Sequence, residues 1–343
     1  MVMNTGASRQ LVAQLEAVGL ENLVVRERPL ATLKPSEIRI RVRAASLNHR
    51  DLLVARGQLG PQVHLPLVPL SDCSGEVVEI GSLVYHFNIG DRVAAAPLPD
   101  WVGGHFNHEV ARTALGSSVD GVLQQFFTAD QRGFVPIPES LSFEEAATLP
   151  CAGLTAWNAL FEQGNLKPGQ TVLVQGSGGV SVFALQLAIA AGAQVIAASG
   201  SEAKFERLRR LGAVHVVDYR DPRWGESVVE VTGGAGVDHV IEAGGARTFG
   251  QSIHAAAVGG HISVIGTLSG AAGHCDTRLI LAKGLRLQGV VCGSVEMFER
   301  MNGMIDALGI QPVIDRAFPL RDVLAACRYL EAARHVGKLV ISM

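Results

Sequence analysis

TVLVQGSGGVSV, residues 171–182, is the segment of this sequence that says most about its fold. Its first five residues form a short apolar run of the kind found in strands that are buried on both faces. The apolar and small residues at 179–191 predict a helix, and the glycines between the two segments predict a tight connection. A glycine-rich turn that directly follows a strand and opens a helix is the setting of a dinucleotide-binding loop.

The loop glycines have separate physical tasks in such a site. Gly176 permits the tight turn, and Gly178 lets the backbone approach a pyrophosphate. The start of the helix presents free N–H groups and a positive dipole end to that anion. Ser181 stands where a third glycine is usual and is small enough for close packing of helix on strand. The cofactor-binding residues predicted in this loop are Gly176, Ser177, Gly178, Gly179 and Val180.

Strand and helix patterns alternate after residue 168. Apolar runs predict strands at 171–175, 194–198, 214–217, 237–242, 261–265 and 285–291. Helical patterns separate them at 179–191, 201–211, 223–232 and 246–257. Repeated units of this length predict an α/β fold with a doubly wound parallel Rossmann sheet, whose ligands bind at the carboxyl ends of the strands. This context favours a cofactor loop over a glycine turn that only connects two elements.

The remainder of the chain has a different character. From residue 23 to 91, short apolar alternations broken by Gly and Pro predict a β-rich lobe. Residues 97–118 are irregular and polar and predict a long loop at the rim of a binding cleft. The tail, with a helix near 320–333 and a last strand at 338–341, rejoins the first lobe. We expect a catalytic domain at 1–154 and 291–343, and an inserted cofactor domain at 155–290.

The end of the second predicted strand indicates the form of the cofactor. NAD-binding sites place an acidic residue there to bind the ribose hydroxyls. This sequence has Ser199-Gly200-Ser201 instead, followed by Lys204. Without a carboxylate to repel it, a ribose 2′-phosphate can be bound by two hydroxyls and an ammonium, so NADPH is favoured over NADH. Alternatively, Ser201 only caps the helix and Lys204 is solvated. Tyr219 can flank the adenine or pack on the surface.

Composition and charge exclude several classes of partner. The 343 residues carry a formal net charge of −3 with Lys and Arg scattered, so no nucleic-acid-binding face is indicated. The amino-terminal residues lack a signal-peptide pattern and no apolar stretch is long enough to span a bilayer, so we expect a cytoplasmic protein without a membrane partner. Five widely separated cysteines predict reduced thiols rather than disulfides or a zinc site.

Several further motifs resemble those of medium-chain dehydrogenase/reductases, over nearly the whole length of the chain. They are SLNHRD at 46–51, PLSDCSG at 69–75, LPCAGLTAW at 149–157 and GK at 337–338. Within that superfamily the chain resembles the zinc-free, quinone oxidoreductase-like group, often labelled zinc-type alcohol dehydrogenase-like. The resemblance implies a GroES-like β-barrel catalytic domain beside the Rossmann domain. It also implies a homodimer through the edge strand at 285–291, whose LQGVV run is compatible with a paired edge.

Zinc-dependent relatives hold a catalytic zinc ion with a Cys, a His and a second Cys. Matched motif to motif, this chain has Asn48, Ser71 and Cys151 at those places. Catalytic zinc needs three protein ligands and an open fourth position, so one thiol does not suffice. The region at 97–118, where relatives carry a four-cysteine structural zinc site, contains no cysteine. We therefore expect no zinc, and a neutral Cys151 thiol that lines the pocket.

Zinc-free relatives commonly use NADPH to reduce a quinone or a carbon–carbon double bond conjugated to a carbonyl. The resemblance therefore implies an NADPH-dependent enone or quinone reductase with a small-molecule substrate. Hydrogen bonds alone can stabilise the oxyanion that forms. By motif match, Asn48 and Arg50 face the nicotinamide end, to orient the ribose or substrate and to stabilise oxyanion charge. Segments that match cofactor contacts of the family contain Thr155, Gly266, Thr267, Leu268 and Lys338.

Other roles are open for the charged residues of these motifs. Arg50 can pair with Asp51 or Asp72 and merely fix the loop. Asp72 can anchor Arg50 or transfer a proton, and anchoring is favoured because a neighbouring guanidinium keeps a carboxylate ionised. The proton that completes the reduction comes from solvent or from His49.

Two other functions are consistent with the same sequence. One is a zinc-free, NAD(P)-dependent alcohol dehydrogenase or carbonyl reductase, which acts on aldehydes or ketones but not on enones. The other is a non-catalytic NADPH-binding protein, because the glycine loop by itself indicates only cofactor binding. Turnover assays separate the three functions.

Overall fold

The computed structural model describes residues 9–60 and 63–343. The chain divides into two compact units, one formed by Met1–Leu154 with Gly293–Met343 and the other by Thr155–Cys292. The catalytic and cofactor-binding roles expected of two domains stay predictions. None of the described helices is long and apolar enough to cross a bilayer.

Strands and helices are numbered along the chain. The strands are β1 (Arg9–Leu15), β2 (Leu23–Pro29), β3 (Glu37–Leu47), β4 (Asp72–Ile80), β5 (Arg92–Ala95), β6 (Phe126–Asp130), β7 (Phe134–Pro136), β8 (Thr171–Gln175), β9 (Gln194–Ala198), β10 (His215–Val217), β11 (Val237–Glu242), β12 (Ala256–Val264), β13 (Arg286–Gly289), β14 (Ile314–Pro319) and β15 (Lys338–Ser342). The α-helices are α1 (His49–Ala55), α2 (His108–Ala111), α3 (Phe143–Ala146), α4 (Leu154–Trp157), α5 (Gly179–Ala190), α6 (Glu202–Arg210), α7 (Trp224–Val231), α8 (Phe249–Ala255), α9 (Thr277–Lys283), α10 (Val295–Leu308) and α11 (Val323–Glu331). Two π-helical segments flank α4, and short 3-10 turns occur at Leu20–Asn22, Gln131–Gly133 and Leu320–Asp322.

The first unit is built on a sheet with the order β14-β15-β3-β4-β5-β7, to which β6 adds by pairing with β3. Its strand pairs are antiparallel except for β14 with β15. In β3, Ile38, Ile40 and Val42 are buried while Arg41 is exposed, as expected for a strand with one face on the core. The β-rich lobe predicted from apolar alternation is therefore confirmed.

The second unit is built on a parallel sheet with the order β10-β9-β8-β11-β12-β13. In chain order this is the doubly wound Rossmann arrangement, so the predicted α/β fold class is confirmed. The order reverses between β8 and β11, whose carboxyl ends flank the crevice where such sheets bind ligands. The bounds of β8, β9 and β11 agree with the sequence prediction, whereas β12 starts earlier and β13 ends earlier than predicted.

The sequence patterns miss several helices, α1 and α10 among them, and misjudge one loop. The patterns give no sign of α1, whose seven residues are too few to show a helical period, or of α10. Residues 97–118 are irregular apart from α2, as expected. They are not merely polar, because Trp101 and Leu115 are buried and anchor the segment.

Candidate active site

Three strand ends bring motif residues of the first unit together. Asn48 follows β3 directly, Asp72 opens β4, and Lys338 opens β15. In the sheet, β3 lies between β4 and β15 and runs antiparallel to both. The end of β3 therefore lies beside the starts of its two neighbours, and these three side chains meet although they are far apart in the chain.

The Lys338 ammonium is the centre of this cluster. Its Nζ donates to Leu47 O at 2.8 Å, to Asn48 Oδ1 at 2.6 Å and to Asp72 Oδ2 at 3.4 Å. Three acceptors match the three ammonium protons, and Lys338 is only 3% exposed. The ammonium therefore forms a buried ion pair with Asp72 and at the same time fixes the orientation of the Asn48 amide.

Asp72 connects the ion pair to the other motif positions. Its Oδ1 accepts a hydrogen bond from Ser71 Oγ at 2.7 Å. Its Oδ2 accepts from Ser46 Oγ and from the backbone N–H of Cys151, both at 3.2 Å. Asn48, Ser71 and Cys151, the positions matched to zinc ligands, thus all contact the same buried ion pair.

The amide nitrogen of Asn48 is left without a partner. Asn48 is 9% exposed, and its Nδ2 is buried with no hydrogen-bond acceptor among the described residues. An unsatisfied buried donor costs about 1–3 kcal/mol. The cluster therefore holds a fixed N–H donor that lacks an acceptor among the described residues.

The donor set of this cluster does not fit a zinc ion. Catalytic zinc needs three ligands drawn from thiolates, imidazoles and carboxylates. Here the ammonium of Lys338 already binds the oxygens of Asn48 and Asp72, which leaves only the Cys151 thiol among the matched positions. In the described part of the chain, no three His, Cys, Asp or Glu side chains are grouped as a metal site requires.

Arg50 has partners other than those predicted. It donates to Leu115 O at 2.9 Å and to Ser117 Oγ at 2.6 Å, and forms no ion pair with any residue in 9–60 or 63–343. The predicted pairing of Arg50 with Asp51 or Asp72 is therefore wrong, because Lys338 takes the place beside Asp72. Arg50 instead ties α1 to the loop that follows α2.

Desolvation shifts the pKa of two groups beside the cluster. Desolvation raises the pKa of Asp51 to about 6, and the nearby charge of Arg50 only partly opposes this shift. Desolvation, and after it the charge of Arg56, lowers the pKa of His49. The proton source, solvent or His49, stays a prediction.

The glycine turn of the second unit has the geometry of an anion-binding loop. Gly176 has a φ of 82°, a left-handed conformation that other residues rarely adopt. Gly178 is the N-cap of α5 without a side-chain cap, and the first helical hydrogen bond runs from Val182 N–H to its carbonyl. The preceding N–H groups of α5 therefore lack helical acceptors and can bind a phosphate. Ser181 packs closely, with its hydroxyl donating to Gln175 O.

The residues predicted to bind a ribose phosphate gather beside this turn. Ser199-Gly200-Ser201 connects β9 to α6, and a Cβ added at its middle residue would lie 2.6 Å from the Tyr219 ring. Lys204 Nζ donates to Ser177 Oγ at 3.0 Å and so reaches the glycine turn. Helix α6 begins without a side-chain cap, so the alternative capping role of the turn is not observed.

The remaining predicted cofactor residues are distributed over two segments. Gly266, Thr267 and Leu268 form the turn after β12, where the Leu268 N–H donates to Ala243 O at 3.3 Å. This turn therefore contacts the loop that follows β11. Thr155 is buried in α4.

Glu242, the last residue of β11, is a site residue that the sequence patterns miss. Its carboxylate is fully buried and accepts hydrogen bonds from the N–H groups of Gly244 and Gly245 at 2.9 and 2.8 Å. Its carbonyl accepts from the Gly266 N–H at 3.3 Å. An acidic residue at the carboxyl end of a buried strand, directly after the apolar pair Val240-Ile241, is the sequence signal that could have found it.

The chain is similar in sequence to two dehydrogenase family models and to a dehydrogenase-like protein. The chain matches the family descriptions "Alcohol dehydrogenase GroES-like domain" at 34–139 and "Zinc-binding dehydrogenase" at 179–308. A zinc-type alcohol dehydrogenase-like protein of Schizosaccharomyces pombe is 40% identical over 318 residues, which cover 91% of this chain and 92% of the relative.

Two solved structures extend this similarity to the whole fold. An NAD-dependent alcohol dehydrogenase is 34% identical with a TM-score of 0.89, over 97% of this chain and 99% of that chain. The 2-octenoyl-CoA carboxylase reductase CinF, solved in complex with NADP and 2-octenoyl-CoA, is 26% identical with a TM-score of 0.87, over 98% of this chain and 88% of that chain.

Fold, site and relatives together define an oxidoreductase that uses a nicotinamide cofactor. The chain belongs to the medium-chain dehydrogenase/reductase superfamily. The predicted family and the GroES-like and Rossmann folds are thereby confirmed.

Proposed function

We propose that this protein is a zinc-independent, NADPH-dependent reductase that transfers a hydride to an enone or a quinone. The observation that carries the proposal is the unpartnered Nδ2 of Asn48, a buried donor held in place by Lys338. Reduction of a conjugated carbonyl or a quinone builds negative charge on an oxygen atom. A preorganised N–H donor in a buried site stabilises that charge without a metal ion.

The residues of the two units have different tasks in this proposal. When bound, the reduced nicotinamide supplies the hydride. Asn48 Nδ2 donates to the substrate oxygen, while Lys338 keeps the amide from rotating. Asp72 balances the charge of Lys338, so the ion pair orients the donor and adds no net charge to the site.

The second unit binds the cofactor in this proposal, with NADPH preferred. The backbone of Gly176, Ser177, Gly178, Gly179 and Val180 holds the pyrophosphate. The 2′-phosphate is bound by Ser199, Ser201 and Lys204, where no carboxylate follows β9 directly, and Tyr219 flanks the adenine. Thr155 and the turn at 266–268 complete the site. The NADP bound by CinF supports this preference.

The conjugated substrate is also supported by a relative. CinF was solved with 2-octenoyl-CoA, whose carbon–carbon double bond is conjugated to the thioester carbonyl. Hydride addition to such a bond places negative charge on the carbonyl oxygen, the atom that Asn48 Nδ2 would contact. The substrate proposed for this chain is therefore a small molecule with a conjugated carbonyl or a quinone ring.

Reduction of an aldehyde or ketone is the second candidate function. It is favoured by the similarity to an NAD-dependent alcohol dehydrogenase and to a zinc-type alcohol dehydrogenase-like protein. The same Asn48 donor can stabilise the alkoxide that such a reaction forms. The two candidates therefore differ in substrate range rather than in the residues that act.

A homodimer in the cytoplasm is part of the proposal. Among the strands of the described residues, β13 pairs only with β12, and its exposed residues include the apolar Leu287. Val291, two residues after β13, is also half-exposed. An unpaired edge with apolar side chains favours pairing with a second copy of the chain.

A substrate panel tests the proposed function. The purified protein is assayed with NADPH and NADH against enones, quinones, aldehydes and ketones, and its zinc content is measured by mass spectrometry. We expect turnover of enones or quinones with NADPH and no dependence on zinc. Turnover of aldehydes alone supports the second candidate, NADPH binding without turnover indicates a non-catalytic protein, and activity that requires zinc overturns the proposal.

Substitution of Asn48 tests the observation that carries the proposal. Asn48→Ala removes the donor and should lower kcat by about 10²–10³. Asn302→Ala is the matched control, because Asn302 is also a buried asparagine of the first unit but its Nδ2 already donates to Pro136 O at 2.9 Å. The control should lose stability and keep its turnover.

A further inference from the structure

Gln175 and Glu242 face each other where the strand order of the second unit reverses. β8 ends at Gln175 and β11 ends at Glu242, and the parallel register pairs Val174 with Ile241 just before them. Gln175 Nε2 donates to Glu242 Oε2 at 2.7 Å. These side chains therefore join the two strand ends that flank the ligand crevice of a doubly wound sheet.

The Glu242 carboxylate is 0% exposed and forms no ion pair with any described residue. Its hydrogen-bond donors are the N–H groups of Gly244 (2.9 Å) and Gly245 (2.8 Å), the hydroxyls of Thr248 (2.6 Å) and Ser252, and Gln175 Nε2 (2.7 Å). A buried charge without a counterion is tolerated only when donors of this kind satisfy it. The carboxylate therefore fixes the positions of all five donors relative to one another.

Contacts of this residue pair reach three loops, two of which the proposed function assigns to the cofactor. Gln175 Oε1 accepts from the N–H groups of Ala243 and Gly244, both at 3.2 Å, and Gly176 of the glycine turn follows Gln175 directly. The carbonyl of Glu242 accepts from the Gly266 N–H at 3.3 Å. The glycine turn, the 243–248 loop and the 266–268 turn thus share one buried support.

We infer that Glu242 is a positioning residue that holds these three loops in their cofactor-binding arrangement. Its carboxylate acts on the 243–248 loop directly, on the glycine turn through Gln175, and on the 266–268 turn through the 243–248 loop, where Ala243 O accepts from the Leu268 N–H at 3.3 Å. The inference rests on the proposed function, which assigns the glycine turn and the 266–268 turn to the cofactor. The inference goes beyond the proposed function because it makes cofactor affinity depend on the Glu242 carboxylate, which lies beneath these loops.

An exchange of the two side chains tests the inference. Glu242→Gln alone places two amide NH₂ groups face to face, and Gln175→Glu alone places two carboxylates face to face. The double variant, Gln175→Glu with Glu242→Gln, again sets a donor opposite an acceptor and keeps one buried negative charge. The dissociation constants of NADPH and NADH, the melting temperature, and kcat with substrate and cofactor KM are measured for each variant.

The expected result separates positioning from stability. Glu242→Gln should raise the dissociation constant of the preferred cofactor about tenfold, a loss equal to one hydrogen bond, and leave the substrate KM within about twofold. The double variant should return to within about threefold of wild type. Asp238→Asn is the matched control: Asp238 lies near the amino end of the same strand, where its carboxylate accepts from Thr171 N–H at 2.8 Å, and the variant should bind the cofactor normally.

Several outcomes would overturn the inference. Glu242→Gln with a lowered melting temperature but wild-type cofactor affinity indicates a purely structural role, and so does a folded double variant that does not recover affinity. If Glu242→Gln fails to fold, Thr248→Val, which removes one donor and keeps the carboxylate, replaces it and should weaken cofactor binding severalfold. A wild-type protein that binds neither NADPH nor NADH refutes the proposed function instead.

Discussion

At the residue scale, the buried pair of Lys338 and Asp72 allows stability and catalysis to be separated. Lys338→Met leaves the Asp72 carboxylate buried without a cation, so the free energy of unfolding should fall by about 3–5 kcal/mol. Adding Asp72→Asn removes both charges and should recover most of that loss. Turnover of the double variant should remain low, because nothing then fixes the Asn48 amide.

Denaturant unfolding and steady-state turnover measure the two effects on the same preparations. A double variant that is stable and also turns over at the wild-type rate would contradict the orienting role assigned to Lys338. A single Lys338→Met variant as stable as wild type would contradict the buried ion pair itself.

The proposed preference for NADPH over NADH can also be tested at a single residue. Ser201→Asp returns a carboxylate to the turn after β9, where it repels a 2′-phosphate and can bind ribose hydroxyls. The ratio of the NADPH to the NADH dissociation constant should rise by about tenfold or more. Fluorescence titration with both cofactors measures it. Ser227→Asp, the same change on α7, is the control, and an unchanged ratio in Ser201→Asp would argue against the proposed phosphate site.

The sequence predicts the members of the site better than their contacts. Asn48, Asp72 and Lys338 are all chosen from motifs, and the sheet brings them together. The sequence motifs favour Asp72 as an anchor for Arg50. The structure instead pairs Asp72 with Lys338, at the start of the last strand. Such pairing depends on the antiparallel order of β4, β3 and β15, which residue types alone do not reveal.

At the scale of elements, two neighbouring strands of the second unit carry a pH-sensitive pair of imidazoles. His239 of β11 is opposite His261 of β12, and both are 3% exposed. Desolvation, followed by the neighbouring His261, lowers the pKa of His239 to about 4. Unfolded His239 binds a proton below its ordinary pKa of about 6.5, whereas folded His239 does so only near 4.

Stability should therefore be lost as the pH falls from about 6.5 to about 4, by on the order of 3 kcal/mol from this group. His239→Gln removes the titration and should make the pH dependence shallower. Unfolding free energies across this range measure the difference. His215→Gln on β10, at an exposed position, is the control, and equal slopes for wild type and His239→Gln would contradict the prediction.

Strands with a clear local sequence pattern are predicted well. Helices that depend on contacts with other residues are not. The segments that become β8, β9 and β11 are short, contain a run of two or more apolar residues and are bounded by turn residues, so their ends agree with the structure. Helix α1 lies inside a motif, and its start depends on the hydrogen bond from Asn48 N–H to Asp51 Oδ2 at 2.7 Å. A capping contact of this kind is visible only once the backbone has been placed.

At the scale of the whole molecule, the proposed dimer is tested at the free edge of the second sheet. Leu287→Asp puts a charge on β13 and should convert a dimer to a monomer, because a buried unpaired carboxylate would face the partner strand. Light scattering coupled to size-exclusion chromatography measures the mass. Leu83→Asp, at a 66% exposed leucine of the first unit, is the control and should leave the mass unchanged.

A wild-type protein that elutes as a monomer would contradict the proposed dimer. A Leu287→Asp variant that stays dimeric would show that the dimer interface is not formed by β13. Either result leaves the fold and the candidate active site as they are, because both are formed within single units of one chain.

Residue patterns were enough to predict the two fold classes, the glycine turn and the residue types of the site. These depend on local properties: the period of apolar residues, the backbone freedom of glycine and the chemistry of each side chain. The folded chain was needed to show that Lys338 pairs with Asp72, that Asn48 Nδ2 has no acceptor among the described residues, and that Glu242 lies beneath the loops proposed to bind the cofactor. These contacts join residues far apart in the chain, and strand order and register select them.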